Sequence, residues 1–264
     1  MSTTTKIQWT EKTWNPTTGC DKVSAGCDNC YALGMAKRLK GMGQAKYQTD
    51  GDPRTSGPGF GLAVHPGTLA EPFQWRKPTL VFVNSMSDLF HAKVPLEFIQ
   101  RVFAVMAATP QHTYQILTKR ARRCRRLAPE LDWPANVWMG ASVENEDNGV
   151  LSRVDELRRV SAAIRFLSCE PLLADLPNLS LDGISWVIVG GESGGGARRM
   201  DIRWAESLVE RSRAAGSAVH VKQLGSVWAR RTRRQTGAPV DPKGGDWDSW
   251  PSHLRIREFP GVSS

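Results

Sequence analysis

Short apolar runs rich in Val, Ile and aromatic residues recur along the chain, each followed by a polar or glycine-rich turn and then by a longer amphipathic stretch. That alternation predicts βα units. Strands are expected at 80–84, 114–118, 137–141, 164–168, 186–190 and 218–222, with a seventh candidate near Ile7-Gln8-Trp9. Between them Leu96, Ile99, Val102, Phe103 and Met106 recur at the helical period, as do Leu151, Val154, Leu157 and Val160, which gives two core-facing stripes. Strands that are apolar throughout are buried on both faces, so the expected fold is α/β with a parallel sheet, either doubly wound or a partial or full TIM-like βα barrel. Right-handed crossovers then bring every strand exit to one end of the sheet. Those exits are polar: Ser85-Met-Ser-Asp88, Thr118-Lys-Arg120, Ser142-Val-Glu144, Cys169-Glu170, Gly190-Gly-Glu-Ser-Gly194 and Lys222-Gln223.

Two segments break the pattern. Residues 41–79, with Gly51, Pro53, Gly57, Pro58, Gly59, Gly61, Pro66 and Gly67, form a Gly/Pro-rich insertion of the kind that is either a functional lid or disordered. From Trp228 the chain carries Arg230, Arg231, Arg233 and Arg234 and then Gly244-Gly-Asp-Trp-Asp-Ser-Trp250, a composition suited to an irregular extension. The expected organisation is a barrel over 1–227 containing the insertion, followed by a basic extension over 228–264. No internal repeat is present.

At 264 residues and 40% hydrophobic content the chain can bury a full core. A formal charge of +9 changes the picture more, because it points either to a polyanionic partner or to a solubility surface. The run Lys119-Arg120-Ala-Arg122-Arg123-Cys124-Arg125-Arg126 puts six cations on one turn and helix, which makes nucleic acid the preferred substrate class. No stretch approaches the roughly 18 consecutive apolar residues of a membrane span, and the first residues hold no signal-peptide core, so a soluble cytoplasmic protein is expected. The five cysteines are odd in number, which argues against a disulfide framework and for a reducing compartment.

Three of those cysteines, Cys20, Cys27 and Cys30, lie within eleven residues. The two residues between Cys27 and Cys30 let both sulfurs leave one tight turn, and the six after Cys20 span up to roughly 20 Å, enough to loop around an iron–sulfur cluster. Three thiolates leave one coordination position open, and Gly19, Ser24 and Gly26 leave backbone amides free to bond sulfur. Trp9 and Trp14 are candidates to shield one side. The alternative is a nucleic-acid-binding protein stabilised by zinc or by an iron–sulfur cluster without further chemistry, the zinc form taking His65, His91 or a remote cysteine as fourth ligand. A third reading, an α/β serine hydrolase, rests on the G-x-S-x-G match around Ser193 with Asp201 and His220 following.

The three-cysteine loop heading a βα barrel resembles the radical S-adenosylmethionine (SAM) superfamily. More closely, Trp14-Asn-Pro-x-x-Gly-Cys20, Gly26-Cys-x-x-Cys-Tyr31, Asn84-Ser-Met-Ser-Asp-Leu-Phe-His91, Leu117-Thr-Lys-Arg120 and Gly190-Gly-Glu-Ser-Gly194 resemble a phage-associated family of radical-SAM-like proteins over nearly the whole chain. The resemblance implies that Cys20, Cys27 and Cys30 bind a [4Fe-4S] cluster whose open iron takes SAM, that an external electron donor reduces it, and that a dedicated partner protein encoded nearby accompanies it. It further implies cofactor contacts from Ser87, Asp88, Ser142, Glu144, Gly190, Gly191 and Glu192, and substrate contacts from Lys119, Arg120, Glu170, Lys222 and Gln223. Two departures from the superfamily stand out: six residues, not three, separate the first two cysteines, and the second strand lacks its usual glycine-glycine-glutamate exit.

Overall fold

The computed structural model describes Thr5 and residues 7–261. Its strands are β1 (Lys12–Trp14), β2 (Thr17–Thr18), β3 (Ala63–Val64), β4 (Leu80–Val83), β5 (Thr113–Thr118), β6 (Val137–Ser142), β7 (Ile164–Cys169), β8 (Trp186–Gly190) and β9 (Ala218–Gln223). The α-helices are α1 (Tyr31–Gly41), α2 (Leu96–Ala108), α3 (Ala121–Leu127), α4 (Asn148–Arg158), α5 (Ile202–Ala214) and α6 (Ser226–Thr236). The six strands expected from apolar runs all form, each within a residue or so of its expected bounds. The seventh forms as well, but at Lys12–Trp14, because Trp9 falls in a turn and its ring packs on Phe82 at 4.7 Å.

Hydrogen-bonded strand order in the large sheet is β1-β4-β5-β6-β7-β8-β9, and β2 pairs with β3 in a separate antiparallel ribbon. The pairs β1/β4, β4/β5, β5/β6, β7/β8 and β8/β9 are parallel. The order follows the chain without reversal. A doubly wound sheet reverses at a switch point, whereas a βα barrel does not, so the topology decides for the barrel type, and with β1 and β9 at its two edges the barrel is partial. The chain divides into two compact units, one of residues up to Ala141 with Glu156–Ala163, the other of Ser142–Asp155 with the residues from Ile164 on.

In the first unit α2 turns Phe98, Ile99, Val102, Phe103 and Met106 inward, so that Phe98 takes the place of Leu96 in the expected stripe, Leu96 being only half-buried. On α4 the buried positions are Val150, Arg153, Val154 and Leu157, while Leu151 is half-buried. In the second unit the arginines after Trp228 lie on α6, so the extension begins inside a helix. Beyond it the chain returns to the edge strand, where Val221 donates to the Ile256 carbonyl at 2.9 Å and Glu258 N–H to the Val219 carbonyl at 2.8 Å.

Candidate functional site

The cysteine loop of the first unit is held by the motifs on either side of it. Asn84, at the exit of β4, has φ +62°, a left-handed conformation that Asn tolerates better than most residues, and its Oδ1 accepts from Thr17 N–H at 3.2 Å. Asn15 Oδ1 accepts from Met86 N–H at 3.0 Å, and Ser87 Oγ donates to the Gly19 carbonyl at 2.6 Å while accepting from Thr17 Oγ1 at 2.9 Å. Gly19 has φ +86°, and a Cβ there would lie 2.1 Å from the Gly61 carbonyl oxygen, so only glycine lets the insertion press against the loop. The insertion is accordingly a folded part of the site: β3 pairs with β2, and Phe60 is buried with Ala32, Ala36 and Met86.

Cys20 and Cys30 both pack against that apolar cluster, and Cys20 lies close enough to Cys27 for their charges to interact. All three are free thiols and half-buried. Cys30 is the N-cap of α1, next to the partial positive charge of the helix N-terminus. Among the described residues no three His, Cys, Asp or Glu side chains stand close enough together to hold a single metal ion. The sulfurs of a multi-iron cluster meet at separate irons and not at one centre, so a cluster does not require such a convergence. His91 and His65 are also engaged elsewhere, with Asp21 at 2.9 Å and Thr18 at 2.8 Å. Asn84 Nδ2, buried and without a partner among the described residues, is a donor still to be satisfied at the β4 exit beside the loop.

A buried hydrogen-bond chain supports Cys20. Arg120 donates through Nη1 to Cys20 Sγ at 3.3 Å and to Asp88 Oδ2 at 3.2 Å, and through Nη2 to the Asp21 carbonyl at 3.0 Å. Asp88, 5% exposed, also accepts from Phe90 N–H at 3.0 Å, Thr118 Oγ1 at 2.7 and 2.9 Å, and Lys119 N–H at 3.0 Å. A carboxylate offers about four lone-pair sites, so Asp88 is filled by the chain's own donors, and Ser87 is likewise turned onto the loop. Burial and the Asp88 charge push the Cys20 thiol up to about 12 against the opposing pull of Arg120; a coordinated metal inverts this, since a ligating thiol is deprotonated. Asp21, next in sequence, accepts from Thr55 Oγ1 at 2.7 Å, Ser56 Oγ at 3.1 Å and His91 Nε2. Burial opposes its charge, but these bonds outweigh it and hold the Asp21 carboxyl at about 2. His91 Nδ1 accepts from Lys93 N–H, so Nε2 carries the proton and donates to Asp21.

The expected basic track is largely consumed within this unit. Arg120 faces Cys20, Arg123 donates to the His91 and Val94 carbonyls, and Arg125 pairs with Glu156, which leaves Arg122 and Arg126 as the exposed cations of α3. Trp14 is fully buried, its Nε1 bonded to the Thr68 carbonyl at 2.9 Å and its ring 5.9 Å from Tyr114, so it serves the core.

In the second unit the remaining strand-end residues are tied to one another. Glu144, 1% exposed, pairs with Arg153 at 2.9 Å, and Arg153 also donates to the Ser142 carbonyl. Glu170 pairs with Lys222, and Glu192 takes a fork from Arg198. Gln223 donates to the Gly191 carbonyl at 2.9 Å. A Cβ on Gly191 would lie 2.5 Å from the Leu224 carbonyl oxygen, and one on Gly190 would lie 3.2 Å from Glu170 Cγ, so both glycines permit close packing. The hydrolase triad does not assemble: His220 is buried between Trp186 and Phe259 with neither ring nitrogen bonded among the described residues, and Asp201 caps α5 and pairs with Arg203.

A model of the family described as "Protein of unknown function (DUF5131)" matches residues 4–251. The chain belongs to this family. No curated protein matches it in sequence. Among solved structures this DUF5131 chain is similar to spore photoproduct lyase, whose cysteine-to-serine mutant aligns with a TM-score of 0.51 at 12% identity, covering 83% of this chain and 78% of that one. The same lyase complexed with dinucleoside spore photoproduct aligns at 0.47 and 12% identity, covering 81% of this chain and 64% of that one. A mutant with bound AdoMet and dinucleoside spore photoproduct gives 0.46 and 11%, covering 81% and 64%. The first of these likenesses agrees with the partial-barrel fold of the DUF5131 chain. No helix among the described residues is long and apolar enough to cross a membrane.

Proposed function

We propose that this chain is an iron–sulfur enzyme in which Cys20, Cys27 and Cys30 hold a [4Fe-4S] cluster that binds SAM, and that its substrate is nucleic acid. The observation that carries the reading is that two of the three free thiols, Cys20 and Cys30, pack on one apolar cluster, with Cys27 near Cys20 and Arg120 bonded to the first sulfur. When bound, such a cluster supplies one-electron cleavage of the SAM sulfonium to methionine and a 5′-deoxyadenosyl radical.

The chain's own residues supply placement and shielding. Ser87 and Gly19 fix the entry to the loop, the Asp21–His91–Thr55–Ser56 network fixes the backbone after Cys20, and the cluster of Phe60 and Met86 packs against Cys20 and Cys30. Arg120 offers positive charge and a hydrogen bond to the Cys20 sulfur, which favours the thiolate and the more reduced state of whatever it ligates. Nucleic acid is supported by α6, whose Arg230, Arg231, Arg233 and Arg234 are all exposed, and by the dinucleoside that spore photoproduct lyase binds.

Anaerobic reconstitution with iron and sulfide tests the reading. About four irons and four sulfides per chain are expected, falling steeply in Cys20→Ser, Cys27→Ser and Cys30→Ser but not in Cys124→Ser, since Cys124 is buried on α3. One tightly bound zinc and a colourless protein would overturn it.

A further inference from the structure

We infer that the outer face of α1 is the docking surface for a small acidic electron-donor protein. This rests on the reading of the cysteine loop as a cluster site and names the surface through which it is reduced.

Among the described residues the exposed large hydrophobic side chains are Val23, Tyr31, Met35, Met42, Val64 and Phe73, so four of six fall between residues 23 and 42. At 3.6 residues per turn Tyr31, Met35, Arg38 and Met42 project within about 60° of one another. Ala32 at 3% and Ala36 at 0% exposure face the core with Leu33 and Leu39 partly buried beside them, while Tyr31, Met35 and, just past the helix end, Met42 are exposed at 55%, 41% and 62%, the Tyr31 hydroxyl donating to the Ser85 carbonyl. Val23, at 47%, lies between Cys20 and Cys27 and carries the apolar stripe onto the cysteine loop itself. The opposite face of the helix thus carries an exposed apolar stripe, and such a stripe marks a binding face.

The charge around the stripe selects the occupant. From Lys22 to Lys46 the chain holds Lys22, Lys37, Arg38, Lys40 and Lys46 against a single carboxylate, Asp28. Lys40 is tied to Asp50, whereas Lys37 and Arg38 are exposed. Cations around a small apolar centre steer an acidic partner and speed its arrival without tight binding. Methionines point to a protein and not to nucleic acid, because they are enriched at protein interfaces and adapt to the shape of a partner surface. The position suits electron transfer: Cys30 caps the same helix, whose whole length is about 16 Å. Electron-transfer encounters also need little area.

The donor gives one electron to the cluster and is itself oxidised by one electron; no bond is made or broken. The test uses flavodoxin hydroquinone, an acidic one-electron donor that ends as the semiquinone, mixed anaerobically with the cluster-loaded chain in a stopped-flow instrument. The second-order rate constant for cluster reduction should fall steeply with salt. Lys37→Glu with Arg38→Glu should lower it about tenfold at low salt and flatten the salt dependence. Met35→Ser with Met42→Ser should lower it several-fold while leaving reduction by methyl viologen radical unchanged. Wild-type rates in both double variants would overturn the inference. So would variants that lose binding of a fluorescent single-stranded oligonucleotide but keep the flavodoxin rate. If the chain loads no cluster, the reading of the cysteine loop fails separately, and the face is then tested by calorimetry of oxidised flavodoxin with the metal-free chain. Binding weakened by the same substitutions supports the surface, and binding unchanged by them removes it.

Discussion

Asp88 to asparagine is nearly isosteric, so its effect isolates hydrogen bonding and charge. The carboxylate accepts from Phe90 N–H, Thr118 Oγ1, Lys119 N–H and Arg120 Nη1, all between 2.7 and 3.2 Å. Whichever oxygen becomes an amide, at least one N–H then faces another donor. Arg120, whose side chain is 14% exposed, loses its carboxylate partner. A hydrogen bond to a charged group contributes about 1.5–3 kcal/mol, and breaking a buried pair costs about 3–5 kcal/mol, so a loss near 3 kcal/mol is expected. For a chain of this size that is a fall of about 10 °C in the unfolding midpoint. Thermal and urea unfolding of the metal-free protein, followed by near-ultraviolet circular dichroism, measure it. Asp52→Asn is the control, because its pair with Arg54 is exposed and should not matter. A loss below about 1 kcal/mol in Asp88→Asn would refute the hub. Undiminished stability with weakened SAM binding would return Asp88 to the cofactor, as the motif resemblance implies.

Three further outcomes are expected. Burial, aided by Arg257 and Lys222, pushes His220 down from 6.5 to about 3, so the unfolded chain binds the extra proton and stability falls as pH drops below 6.5. Between pH 6.5 and 5 the loss should be about 2 kcal/mol, and His220→Phe should flatten that slope in urea midpoints measured across pH. Gly19→Ala sets a Cβ against the Gly61 carbonyl at positive φ, so limited proteolysis should open the 41–79 insertion and cluster loading should drop; wild-type protease resistance would contradict the close approach. Replacing Arg230, Arg231, Arg233 and Arg234 with alanine should weaken duplex DNA binding and reduce the magnitude of the log–log salt slope by up to about 3.6. The same change in Arg122 and Arg126 should do less, and equal effects would reject α6 as the main contact.

The strands were legible because burial on both faces makes their sequence continuously apolar, as in Trp186-Val-Ile-Val-Gly190, whose five residues are all buried. The first strand was harder to place, since Lys12-Thr-Trp14 is short and only Trp14 is buried. The three cysteines stand out as a candidate site by their spacing alone. Their supports do not, because a polar residue at a strand exit has the same appearance whether it faces a ligand or a neighbour. Asp88, Glu144 and Glu192 face arginines of their own unit, Arg120, Arg153 and Arg198, pairings at separations that no helical or strand period encodes. Arg120 was likewise hidden in a run of like charges, where only the fold separates the cation bonded to Cys20 from those in water. Asp21 and His91 carried a weak signal: a carboxylate directly after the first cysteine, and a histidine in a motif otherwise built of loop residues.

The central claim is that the three cysteines leave one iron open for SAM. Electron paramagnetic resonance of the dithionite-reduced, reconstituted chain with and without SAM tests it most directly, with 5′-deoxyadenosine assayed in the same samples. A [4Fe-4S]+ signal that changes shape when SAM is added, together with 5′-deoxyadenosine, is the predicted result. A signal indifferent to SAM, with no 5′-deoxyadenosine formed, would contradict the account.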